Sequence, residues 1–152
     1  MKCVLKKQKN WGSRFIRCVK MKIGIDFHGV IEDYPEIFIS FLEALVRKGN
    51  EVHIITGPDF THALNEVTTA GYEEGIHYTQ LHSVVDHLKG REVESWIDEK
   101  GRFWASDHDW WSTKALMCNE LGLDLMVDDS VEYEPYFEDI RTDFVLVGRK
   151  GR

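Results

Sequence analysis

Long apolar runs, paired cysteines and internal repeats are all missing from this chain, and each shortage removes a class of protein. No stretch approaches the roughly 18 to 20 consecutive apolar residues of a membrane span. Nor does the N-terminus carry the apolar core of a secretory signal, so a soluble, cytoplasmic protein with no membrane partner is expected. The three cysteines, Cys3, Cys18 and Cys118, are odd in number and show neither CxxC nor Cys/His finger spacing. That argues against a disulfide framework and a structural zinc site, and leaves ordinary reduced thiols. There is no low-complexity segment.

What is present is material for one domain. A length of 152 residues with 43% hydrophobic content suffices for one well-buried core and is too short for two ordinary domains. The net charge of −7 is unevenly spread: residues 1–20 hold seven Lys or Arg and no acid, which leaves residues 21–152 at −14. The basic segment reads as an extension outside the fold or an upstream start, because Met21 is followed at once by a strand-like Lys22-Ile23-Gly24-Ile25. A second use, as an electrostatic arm for nucleic acid, stays open through counterion release.

Along residues 21–152 the pattern alternates. Ile23, Ile25 and Phe27 alternate with Lys22, Gly24 and Asp26, which predicts a first strand ending near Gly29. Ile37, Phe38, Phe41, Leu42, Leu45 and Val46 recur at helical spacing between Pro35 and Gly49. Val52, Ile54 and Ile55 form a second strand running into Thr56-Gly57-Pro58, followed by a helix over about 61–70. Residues 78–90 read as a strand and a short helix. Residues 96–104 read as a hairpin turning at Gly101, within a segment that holds four of the five tryptophans. A helix capped by Ser112 and ending at Gly122, then strands over 123–127 and 144–147, complete the chain. Strand, helix, strand, helix implies a parallel sheet with helices on its faces, since parallel neighbours need crossover connections. Ligand sites then gather at carboxyl ends of strands.

Asp26, Thr56, Lys114 and the pair Asp128-Asp129 fall at such ends or on a helix. Three carboxylates drawn together repel unless a cation joins them, so the grouping suits Mg²⁺ with Lys114 adding positive charge. Together these would neutralise a phosphoryl group, with Asp26 placed as a carboxylate nucleophile. Thr56 offers a hydroxyl to a phosphoryl oxygen.

These residues resemble the haloacid dehalogenase (HAD) superfamily. Asp26-Phe27-His28-Gly29-Val30 is similar to its first motif, Ile54-Ile55-Thr56-Gly57 to its second, Lys114 to its third, and Val127-Asp128-Asp129-Ser130 to its fourth, in family order. The resemblance spans about 22–147. It implies a three-layer Rossmann-like α/β fold with a minimal cap at the hairpin, and an Mg²⁺-dependent phosphatase acting through an aspartyl-phosphate. It further implies metal contacts from Asp26, Asp128, the His28 carbonyl and, less directly, Asp129. His28 stands where the family usually carries an aspartate that protonates the leaving group; an imidazole can take that role near neutrality.

Two other functions fit the same residues: a domain that binds a phosphorylated ligand or protein without turnover, and a nucleic-acid end phosphatase using residues 1–20. A receiver domain shares the chemistry but places its acidic pair first and its lysine late. The open site also suits a homo-oligomer whose neighbour completes the pocket. Asp107-His108-Asp109 reads as capping and solvation rather than a second metal site. His77, His82 and His87 read as surface or satisfied core histidines, and the tryptophans first as packing, second as a substrate-facing wall.

Overall fold

The computed structural model describes residues 19–148; the reading of a basic extension falls on residues 1–18 and lies outside them. Five parallel strands form the main sheet: β1 (Lys22–Ile25), β2 (Glu51–Thr56), β3 (Gln80–Ser83), β6 (Leu125–Asp128) and β7 (Asp143–Leu146). Between β3 and β6 lies an antiparallel hairpin of β4 (Ser95–Ile97) and β5 (Phe103–Ala105). The main sheet runs β3-β2-β1-β6-β7. Its order therefore reverses beside β1, and the crevice between the carboxyl ends of β1 and β6 is the position where open α/β sheets bind ligands.

Helices cover both faces, giving the three layers expected. Ile23 and Ile25 of β1, with Val52 and Ile54 of β2, pack with Leu42 of α1 (Pro35–Arg47) and Val67 of α2 (Phe60–Thr69). On the opposite face Ile55 and Met126 pack with Val84 and Leu88 of α3 (Val84–Gly90) and Ala115, Met117 and Cys118 of α4 (Asp107–Leu121). Gly24 faces this second layer. A Cβ there would sit 2.7 Å from the Met126 Sδ and 2.9 Å from the Leu123 Cδ1, so the absence of a side chain sets how closely β1 meets its neighbours. Cys118 is a free, buried thiol.

The start of α4 differs from the sequence expectation. Ser106 caps it, and Ser112 lies inside it, so Lys114 sits in mid-helix rather than in a first turn. The Ser106 Oγ accepts from the Asp109 N at 3.1 Å and donates to the Asp109 Oδ2 at 2.6 Å. This reciprocal cap, with Asp107 and Asp109 in the positive first turn, outweighs the indifferent helix propensity of Trp110 and Trp111. Within the Asp107-His108-Asp109 run, Asp109 thus belongs to the cap, Asp107 sits in the first turn, and the His108 ring lies 5.7 Å from that of Tyr136.

The hairpin turn is held by one carboxylate. Asp98 accepts from the backbone N of Lys100 and of Arg102, both at 2.9 Å, from the Arg102 Nε at 2.7 Å and from the Trp104 Nε1 at 3.0 Å. Backbone donation from Arg102 leads the effects that pull the Asp98 pKa down to about 2. Gly101 takes the left-handed conformation at φ +75°, as the turn requires. Among the described residues no helix is long and apolar enough to cross a membrane.

Candidate active site

Asp26 follows the last residue of β1 and extends its ladder, its backbone N donating to the Val127 O at 2.9 Å. The chain then leaves the sheet in a wide loop, Phe27–Ile31, closed by the Glu32 N on the Phe27 O at 3.0 Å. Gly29 in that loop has φ +74°, and a Cβ on it would strike the Asp129 carboxylate. Both conformation and space therefore require glycine there. The Asp26 Oδ1 accepts from the Phe27 N at 2.8 Å, which turns its other oxygen toward Lys114.

Lys114 projects from α4 beneath the crevice and is 2% exposed. Its Nζ donates to the Asp128 Oδ2 at 2.6 Å and lies 3.1 Å from the Asp26 Oδ2, so one ammonium joins the ends of β1 and β6. Burial works against that charge, yet Asp26, Tyr133 and Asp128 hold the lysine pKa above its ordinary value. Burial raises the Asp26 pKa, against the opposing pull of Lys114; the like charge of Asp128 adds to the rise. The Asp128 Oδ1 accepts from the Ser130 N at 2.9 Å.

Asp26, Asp128 and Asp129 each offer an oxygen within 4.8 Å of the others, a group that could hold a metal ion. Gathered carboxylates repel one another, and the Lys114 ammonium contacts two of them, Asp26 and Asp128. A further hard cation suits an all-oxygen donor set of this kind.

Thr56 ends β2 and is fully buried, with its Oγ1 3.1 Å from the His28 Nδ1. The His28 Nε2 lies 3.1 Å from the Glu66 Oε2 on α2, an ion-pair separation. The other Glu66 oxygen is 3.3 Å from the His62 Nε2. Ala63 and Val67 bury one stripe of α2, and this rotation leaves Glu66 at the pocket rim.

All six residues singled out from the sequence thus converge at one end of the sheet. Two further groups escaped sequence reading. Glu66 is an ordinary helix-surface acid by pattern. Tyr133 comes from a 3-10 segment, Val131–Phe137, and its ring lies 4.7 Å from the Lys114 Nζ. Burial pushes the Tyr133 hydroxyl up to about 12 although Lys114 opposes it. His82, read as a surface or satisfied core histidine, meets His53 across β2 and β3, Nε2 to Nδ1 at 2.9 Å.

Fold and site together define a three-layer Rossmann-like α/β protein with an acidic, lysine-bridged pocket at the carboxyl ends of its parallel strands. No protein-family model matches the chain, and no curated protein matches it.

Proposed function

We propose that this chain is an Mg²⁺-dependent phosphomonoester hydrolase in which Asp26 is the nucleophile. One observation carries the reading: a buried ammonium bridges Asp26 and Asp128 at the switch point of a parallel sheet, with Asp129 beside them. The order of these residues also supports it, through the resemblance to the HAD superfamily.

An Asp26 oxygen attacks phosphorus as the bond to the leaving oxygen breaks, giving an aspartyl-phosphate. Protonated His28 gives its proton to the leaving oxygen. The neutral ring then takes a proton from the water that attacks the same phosphorus, restoring the Asp26 carboxylate and releasing phosphate. Lys114 opposes the burial that raises the Asp26 pKa and offsets charge on the phosphoryl group. Thr56 donates its hydroxyl to a phosphoryl oxygen. Asp26, Asp128 and the His28 carbonyl would hold Mg²⁺, with Asp129 assisting; the ion supplies charge neutralisation where the dianion binds.

Phosphate release from an aryl phosphate and a nucleotide panel, with Mg²⁺ or a chelator, tests this. Asp26→Asn is expected to lose roughly 10³-fold or more in turnover while staying folded. Equal turnover in the variant would end the nucleophile assignment.

One observation favours a second reading, a phospho-ligand binder without turnover. Both ring nitrogens of His28 face protein groups, Thr56 and Glu66, rather than open space. Tight Mg²⁺-dependent phosphate binding with no release from any member of the panel would select it. A nucleic-acid end phosphatase would draw its arm from residues 1–20, of which 1–18 lie outside the described residues.

A further inference from the structure

The hairpin β4–β5 and the first turns of α4 enclose a cavity of about 380 Å³. Phe103, Trp104, Trp110 and Trp111 line it, together with Arg102 and Asp107. Trp110 lines this cavity and also reaches toward the end of β2. Its ring stands 3.7 Å from where a Cβ on Gly57 would be, next to Thr56 at the acidic pocket.

We propose that this cavity binds the base of a nucleoside monophosphate whose phosphate occupies the Asp26 pocket. The phosphate half rests on the hydrolase reading above; the base half rests on the cavity alone. Four aromatic side chains around one space suit a flat, polarisable ring rather than an aliphatic or sugar group. Trp104 is fixed in advance, its Nε1 on Asp98 at 3.0 Å and the Arg102 guanidinium 5.3 Å from its ring. Little side-chain freedom is then lost when a ring stacks there. The Asp107 carboxylate accepts N–H donors, and guanine presents a ring N–H and an amino N–H side by side, a match for two carboxylate oxygens. Residues 21–152 carry a net −14, which disfavours a polynucleotide backbone and leaves a mononucleotide.

Guanosine, which lacks phosphate, separates the two halves. Calorimetric titration of the full chain is expected to show binding in the millimolar range or tighter, retained in Asp26→Asn. Trp104→Ala should weaken it about ten-fold, and Asp107→Asn should weaken guanosine more than uridine. Absence of guanosine binding, or equal affinity in the parent, Trp104→Ala and Asp107→Asn, overturns the cavity assignment even if aryl phosphate is hydrolysed. Guanosine binding without phosphate release from any substrate leaves the cavity assigned and removes the hydrolase. A 5′-phosphorylated oligonucleotide that outcompetes guanosine monophosphate overturns the choice of a mononucleotide.

Discussion

Lys114 is the residue on which the acidic pocket depends for stability as well as chemistry. Replacing it with Met keeps the volume but leaves Asp26 and Asp128 buried with no ammonium between them. Removing one partner of a buried ion pair costs about 3–5 kcal/mol, so the urea midpoint of Lys114→Met should fall markedly at neutral pH. An unchanged midpoint would mean that the carboxylates are held by something other than this lysine. At this scale the sequence was informative where chemistry follows from position in a strand. Asp26, Thr56 and Asp128 are legible because a strand's end is visible in its alternation, and the sheet brings those ends together. Glu66 and Tyr133 were not legible. The first depends on how α2 rotates to bury Ala63 and Val67, the second on a 3-10 segment with no repeating apolar spacing. The direction of the His28 ring likewise depends on a loop conformation that only Gly29 makes possible.

Among the elements, the seam between β2 and β3 carries a pH dependence. His53 and His82 stack with centroids 5.2 Å apart, and His87 of α3 and Glu51 of β2 face the same group. Burial, then the charges of His53 and His87, pulls the His82 pKa down to about 4; burial also lowers that of His53. The fold therefore favours neutral rings, whereas the unfolded chain takes up protons near the ordinary histidine value. Stability from His82 is fully present above about pH 6.5 and is lost as pH falls toward 4, by at most about 3 kcal/mol. Unfolding midpoints compared at pH 7 and pH 4.5 should show a smaller acid loss in His82→Gln than in the parent. The same loss in both would assign the acid sensitivity elsewhere. Element boundaries were legible where a glycine or proline punctuates them, as at Pro35 and Gly122. The start of α4 was not, because its signal is a pair of side-chain hydrogen bonds between Ser106 and Asp109 rather than a periodic stripe.

For the molecule as a whole, the three carboxylates gathered at the crevice predict that Mg²⁺ stabilises the folded state. At a hundred-fold excess over its dissociation constant a ligand adds about 2.7 kcal/mol, which for a domain of this size raises the melting temperature by about 5–10 °C. Asp128→Asn should abolish the increase in a thermal melt followed by circular dichroism. A rise that survives Asp128→Asn would place the ion elsewhere. The parallel order was legible from alternation of strands and helices, but not the side of β1 on which β6 pairs.

That pairing has a consequence during synthesis. Asp26 leaves the ribosome early, while Lys114 and Asp128 emerge only near the end of the domain, after α3 and the hairpin. Until then β1 has one neighbour, and its aspartate has neither counterion nor companion carboxylates. No fragment ending before β6 can hold the bridged pocket, so the three groups meet only once β6 has paired with β1, with β7 still to add the edge of the sheet.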